Sequence, residues 1–577
     1  MQLKKLFLAG ALLFMTSCST NNEQTGRAPG ATEGPRQGTA SYTASGRNGV
    51  VVSDDSIATE VGLATLRNGG NAVDAAVATA LALAVTYPEA GNLGGGGFIV
   101  ARFADGKNAS LDFREKAPAA ASRDMYIDEK GELTGKSLTG HLASGVPGAV
   151  AGLYAVHQRH GKLKWSDVVQ PAIALAANGF TINERFARLT NGDERLRQFE
   201  GSAKLFMPNG QPLQARTLWR NPDLAATLRR IAERGPDGFY KGETADLIVA
   251  EMKRGGGIIT HADLAAYEPK WREPIRFDYR GHRVLSMAPA SSGGITLALM
   301  ANILEGFDLR ASGPATASTI HLIAEASRRA FADRNHYLGD PDVVRIPREL
   351  ASQEYAEKVR ASIAQNKATP SSDVRPGNGI IREGEQTTHI SVVDGQGNAV
   401  ALTTTINDLY GSAVTVSGAG FLLNDEMDDF SAKPGSPNMF GLVQGENNAI
   451  APGKRMLSAM TPTIVVAPNG QTLLVTGARG GPRIISAVMQ IMSYVIDHGY
   501  TIDKAMEGPR VHHQHLPDVL YHEKGALDES EIAALRAMGH KVEERPGSVG
   551  SANSILRVGN TWHGGTDPRS GGFADAY

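Results

Sequence analysis

The chain has 577 residues, 41% hydrophobic and 20% charged, a composition that excludes wholesale disorder and leaves room for one very large core or several smaller ones. A formal net charge of -2 provides no basic excess to neutralise phosphates, so nucleic acid is not an expected partner. With one cysteine, Cys18, no internal disulfide can form.

In chain order, Met1 to Lys5 is short and basic, Leu6 to Met15 is an apolar run, and the small residues Thr16 and Ser17 precede Cys18. This leader resembles a bacterial lipoprotein signal, with Met15 where leucine is more usual, and predicts a signal peptide over 1–17 with Cys18 as the lipidated residue. A plain secretory signal with an incidental cysteine is the alternative. Ten apolar residues are too few to cross about 30 Å of hydrocarbon as a retained anchor. A lipidated Cys18 would leave no thiolate for a metal site or for catalysis.

Residues 18–48 are rich in Gly, Ser, Thr, Pro and Gln, cannot repay the entropy of ordering, and read as a flexible linker. From Gly49 strand and helix patterns alternate: strand-like Val50 to Val52, a helix through Leu66, a second over Asn71 to Thr86, then strand-like Gly97 to Arg102. Ala75 to Val85 is the longest apolar stretch after the leader and reads as a buried helix. From about Leu153 to Lys367 the pattern is mostly helical, as in Asp223 to Arg234 and Thr316 to Asn335.

Beyond Gly377 the expected elements are strands at His389 to Asp394, Ala399 to Ile406, Thr463 to Ala467 and Thr472 to Thr476, then a helix from Pro482 to His498 closed by Gly499. Strand pairs flanked by helices suggest stacked sheets covered on their outer faces, an α+β class.

Common catalytic signatures are missing. There is no G-x-S-x-G elbow, and Gly131 to Ser137 (GELTGKS) lacks the first glycine of a phosphate loop at the required distance. His512, His513, Gln514 and His515 lack metal-ligand helical spacing and read as structural or surface histidines, so no metal is expected.

Gly384 to Gly411, GEQTTHISVVDGQGNAVALTTTINDLYG, is by itself a threonine-rich strand hairpin. Thr387 and Thr388 open the first strand after a polar, Gly-containing segment, a place that could be exposed to cleavage and held rigid afterwards. A four-residue loop, Gly395 to Asn398, would put Thr387 opposite Ile406, so a bulge or a different loop count is needed for it to face Thr405.

TTHISVVDGQGNAVALTTTIN, LLNDEMDDFS, PGKRMLSAMTPTIV, GARGGPRI and TDPRSGG, with GNLGGGGFIV and LDFREKAP upstream, follow one another in an order that resembles γ-glutamyltranspeptidase (glutathione hydrolase) from about Gly49 to the C-terminus. The resemblance implies a four-layer αββα N-terminal nucleophile hydrolase sandwich formed jointly by a large subunit, 49–386, and a small catalytic subunit, 387–577, after self-cleavage between Gln386 and Thr387. It also implies a γ-glutamyl hydrolase and transpeptidase that acts on glutathione and other γ-glutamyl compounds through a threonine ester, without a cofactor. Water, an amino acid or a dipeptide would resolve the ester.

The chemistry is self-consistent. A free α-amine has a pKa of about 7.7 to 8.0, so roughly a third is neutral near pH 7.5 and can activate the threonine hydroxyl. The same resemblance assigns Thr405 to a hydrogen bond with the nucleophile and Asn407 to the substrate, with both side chains expected on one strand face. Gly480 and Gly481 precede a helix start whose unpaired amides suit an oxyanion, although two glycines also suit a tight turn.

Arg114 is implied as the anchor of the substrate α-carboxylate, and Glu426 and Asp429 as the holders of its α-amino group. Two departures from the family pattern stand out. Ser458 is followed by Ala459 where a second serine is frequent, and Phe440 occupies the lid position over Pro434 to Gly441 where tyrosine is frequent. The Phe440 departure points to a looser lid and more hydrolysis relative to transfer.

The expected location is the periplasm, with membrane attachment only through the N-terminal lipid or, on the alternative signal reading, a soluble periplasmic or secreted form. Two rival functions remain: a related glutaryl or cephalosporin acylase, and a catalytically inactive binding lipoprotein.

Overall fold

A computed structural model describes residues 42–374, 387–433 and 445–577. Two seven-stranded antiparallel sheets carry the architecture. The first runs, in spatial order, Phe573–Ala576, Gly49–Ser53, Thr387–Asp394, Ala399–Thr405, Gly96–Arg102, Asn108–Phe113 and Lys270–Arg272. The second runs Thr43–Gly46, Thr561–Thr566, Ser551–Val558, Thr472–Arg479, Thr463–Val466, His282–Ser286 and Ile275–Tyr279. Each sheet therefore draws strands from both sides of residue 386.

Alternation along the strands sets the layers. Val51, Ile390, Val392, Val400 and Leu402 pack with the helices Ser56–Arg67 and Ala72–Thr86 on the outer face of the first sheet. Val50, Val52, Val393, Ala399 and Ala401 point the other way, into a core shared with Ile464 and Val475 of the second sheet and with the helices Gly293–Leu304, Ala317–Tyr337 and Arg483–Ile496 beyond it. The arrangement is αββα, as expected.

Ala72–Thr86 is buried on every side, which explains its continuous apolar run; Asn71 and Asp74 form a capping box at its start. Gly62 lets the preceding helix approach it, because a Cβ there would lie 2.2 Å from Thr79 Oγ1 and 3.0 Å from Val51. Asn71 and Thr316, expected as the first residues of their helices, serve as the N-caps.

Several expectations need correction. Asp394 stands opposite Asn398, so the register closes over three residues, Gly395 to Gly397, rather than over the four, Gly395 to Asn398, that lie between the strand ends. Asp394 Oδ1 accepts from the amides of Gln396 and Asn398, Gly397 takes a φ of 91°, and Asp394 N donates to Asn398 O at 3.0 Å. Thr387 consequently pairs with Thr405 without a bulge.

The middle of the chain is largely helical but also supplies Lys270–Arg272, Ile275–Tyr279 and His282–Ser286. Their two-residue turn, Arg280-Gly281, has φ of 51° and 77°, a hairpin geometry that arginine seldom signals; hydrogen bonds from Arg280 to Asp497 and to the carbonyls of Leu304, Glu305 and Phe307 hold it. Of the two readings of the histidine run, structural or surface, the buried structural one holds. His512 Nδ1 lies 2.8 Å from Ser486 Oγ, and His515 Nε2 lies 3.0 Å from Ser371 O.

Candidate active site

Thr387 opens its strand at one end of the sandwich, with 4% of its surface exposed. Its hydroxyl lies 3.5 Å from Thr405 Oγ1 on the paired strand. Asn407 does not continue that strand. It adopts a φ of 75°, its amide donates to Thr405 Oγ1 at 2.8 Å, and its side chain donates to Asp425 O at 3.0 Å. The expectation that Thr405 and Asn407 share a strand face is therefore corrected: a left-handed turn brings them to one site.

That turn is locked to the loop bearing the acidic residues, since Asp425 N donates to Ile406 O and Asp408 N to Asp425 Oδ1. Asn424 anchors the loop in turn, donating to the carbonyls of Gly94 and Gly145.

Arg114, just beyond Asn108–Phe113, is fully buried. Its fork reaches Glu426 Oε1 at 2.5 Å and Asp429, with Glu115 Oε2 at 3.5 Å and Met456 O accepting from Nε at 3.3 Å. Burial opposes the guanidinium charge, but Glu426, Asp429 and Glu115 together raise its affinity for the proton. Burial pushes Glu426 and Asp429 upward against the pull of Arg114, and pushes Glu115 to about 8. Three carboxyl groups thus surround one cation, and Glu115 has no hydrogen-bonding partner for either oxygen among the described residues. Such a cluster can exchange its internal pairings for those of a zwitterion.

Thr387, Thr405, Asn407, Arg114, Glu426, Asp429, Ser458 and Gly481 line one small cavity of about 20 Å³, together with Ala459, Met460 and Ile484. It holds about one water, so an amino acid entering must displace the internal ion pairs. Larger depressions of about 490 to 560 Å³ lie elsewhere and bring no nucleophile beside paired charges.

Ser458 is fixed from its backbone, where its carbonyl accepts from both the amide and hydroxyl of Ser292 at 2.6 Å. Ala459 beside it offers no hydroxyl. Gly480 and Gly481 have φ of 125° and 58°, and neither N–H has an acceptor among the described residues. Gly481 lines the cavity; Gly480, one residue back, is not among the lining residues. Two free amides ahead of the helix Arg483–Ile496 can receive a developing negative charge.

Cys18, Gln386 and Phe440 lie outside the described residues. Sequence reasoning missed Glu115, although its place next to Arg114, just past a strand that runs into the core, was a signal that a second charge would be buried with the first.

The sequence matches the family described as Gamma-glutamyltranspeptidase over residues 58–577. It is 49% identical over 530 residues to the glutathione hydrolase proenzyme of Escherichia coli (strain K12), with 91% of each chain covered. With the protein of the same description from Pseudomonas aeruginosa it shares 45% identity over 539 residues, covering 92% of this chain and 95% of the relative. Among solved structures, the cephalosporin acylase from Bacillus halodurans superposes with a TM-score of 0.83 at 29% identity, covering 95% of this chain and 99% of the other.

Proposed function

This chain belongs to the γ-glutamyltranspeptidase family and is a self-processing γ-glutamyl hydrolase and transpeptidase, and from that premise we propose that Thr387, freed by cleavage after Gln386, is its nucleophile. Once cut, the new α-amine takes the proton of the Thr387 hydroxyl as that oxygen attacks the γ-carbonyl of the donor. Thr405 orients the hydroxyl. The amides of Gly480 and Gly481 receive the oxyanion, and a γ-glutamyl ester forms on Thr387 as the amine leaves. Water or an amino acid or dipeptide amine then releases the acyl group.

The observation that carries this reading is the single cavity joining Thr387 to Arg114, Glu426 and Asp429. A free amino-acid head brings a carboxylate for Arg114 and an ammonium for the two acids, so its entry replaces one set of charge pairs with another without changing the net charge of the site. Asn407 and Ser458 complete the pocket. The decisive test is N-terminal sequencing of the smaller fragment of active enzyme, which should begin Thr387-Thr388-His389; any other start overturns the assignment.

The likeness to a cephalosporin acylase raises a second reading, a glutaryl donor. A glutaryl group has no α-amine, and Glu426 and Asp429 would then be left without a ligand cation. Turnover of γ-glutamyl anilide with little turnover of glutaryl anilide supports the first reading; the reverse preference supports the second.

The Phe440 departure from the family pattern supports a looser lid and more hydrolysis relative to transfer. Equal partition in the presence of a dipeptide acceptor would count against this. The leader and Cys18 support export to the periplasm as a lipoprotein. No helix among the described residues is long and apolar enough to cross a membrane. Cys18→Ser should move the enzyme from the membrane fraction to the soluble one; unchanged fractionation would favour the plain secretory signal.

A further inference from the structure

The nucleophile and the oxyanion amides sit on different sheets. Thr387 belongs to the first sheet and Gly480-Gly481 follow the last residue, Arg479, of a strand in the second. Two consecutive glycines at positive φ hold no position by themselves, because both are conformationally permissive. After them the turn is tied to its helix, with Arg483 N donating to Gly480 O and Ile484 N to Gly481 O. Before them, the Arg479 backbone pairs with Ser551.

The side chain of Arg479 leaves its own sheet. Its Nη1 donates to Tyr87 Oη at 2.5 Å, just past the helix Ala72–Thr86 that covers the first sheet. The same phenol oxygen accepts from Arg185 Nη2 at 2.5 Å, and Arg185 is ion-paired with the buried Glu89. Asp54, at the end of the strand Gly49–Ser53, adds its charge to the field at both Arg479 and Tyr87. Asp54 Oδ2 also accepts from the hydroxyl of Thr388, the residue next to the nucleophile, at 2.8 Å. Two hydrogen bonds on one phenol oxygen therefore tie the residue before the oxyanion amides to the layer that covers the nucleophile's sheet, where Asp54 holds the residue after the nucleophile.

We propose that Arg479, acting through Tyr87, is a positioning residue that sets the spacing between Thr387 Oγ and the amides of Gly480 and Gly481. The proposal rests on the reading of Thr387 as nucleophile and names a determinant of the reaction that the substrate pocket does not contain. Because the clasp touches no substrate, its loss acts on the transition state and leaves donor binding alone.

The test uses purified, matured enzyme and steady-state hydrolysis of a γ-glutamyl anilide. Tyr87→Phe keeps the ring, over which Arg185 lies at 4.2 Å, and removes only the phenol oxygen. Arg479→Gln removes the charge, and Arg479→Lys restores a single donor. The expected result is a fall in kcat of about tenfold for Tyr87→Phe and Arg479→Gln with donor KM within about twofold, and a double variant no slower than the worse single variant. Arg479→Lys should fall between wild type and Arg479→Gln. Unchanged kcat, a loss confined to KM, or multiplicative losses in the double variant would overturn the proposal. If Arg479→Gln does not mature on a denaturing gel, Tyr87→Phe and Arg479→Lys decide alone. Thr387→Ala separates the two ideas: turnover surviving that change would sink the nucleophile, whereas its loss beside normal kinetics for Tyr87→Phe would sink only the clasp.

Discussion

Thr387, its neighbours and the charges facing it make distinct demands on single side chains. Thr387→Ala should stay one chain on a denaturing gel and show no turnover, because on the proposed mechanism one hydroxyl serves both cleavage and acyl transfer. Arg114→Lys should still mature, yet its donor KM should rise at least about tenfold, since an ammonium cannot reproduce the two-pronged contact of a guanidinium. Failure of this variant to mature would mean that Arg114 holds the fold rather than the donor. Ala459→Ser should lower donor KM by about tenfold, as a hydrogen bond to a charged group is worth about 1.5 to 3 kcal/mol. Of these residues, those in distinctive motifs were legible in the sequence. Arg479 and Tyr87 were not, because they lie far apart in the chain and only the closing of the sheets brings them together, while Glu115 was signalled by nothing but its place beside Arg114.

At the scale of elements, local pattern located the hairpin that carries Thr387 but not its register. The Asp394 side chain, which turns two amides toward itself, sets a three-residue loop where counting had suggested four. The strands between Lys270 and Ser286 were hidden for a similar reason: they are three to five residues long, and their turn depends on carbonyls from distant helices. The helix pair over the first sheet is more exacting. Gly62→Ala places a methyl against Thr79 and Val51 and should lower stability by about 1 to 3 kcal/mol. A thermal midpoint equal to that of wild type would show that the two helices can separate without cost.

For the whole molecule, pH offers a test of the buried charges. Burial pushes His389, His512 and His540 down to about 3 and His513 to about 4. Unfolded histidine titrates near 6.5, so as pH falls below that value the unfolded chain binds protons the native state refuses, costing about 1.4 kcal/mol per pH unit for each. Buried acids work in the opposite sense. Burial raises Asp55 to about 6, Asp333 and Asp428 to about 7 and Glu115 to about 8, so the native state keeps protons that the unfolded chain releases above about pH 4. The two sets offset each other between about pH 6.5 and 4, and below about 4 the histidine loss is joined by that of Glu251, which burial raises but contacts with His141 and Ser417 hold down at about 2. Denaturant midpoints should be nearly flat over that range and drop steeply below it; a steady decline beginning at pH 6.5 would mean the buried acids are ionised.

Both sheets interleave strands from the two sides of residue 386, so a self-inflicted cut at the proposed place would be irreversible in practice. Before scission the polypeptide folds as a first-order process. Afterwards, recovery from full denaturation requires two separate fragments to find each other, so the yield should depend on protein concentration, whereas uncut Thr387→Ala should regain its structure equally well at any dilution. An enzyme built this way trades the option of a second assembly for a nucleophile that exists only once the first has succeeded.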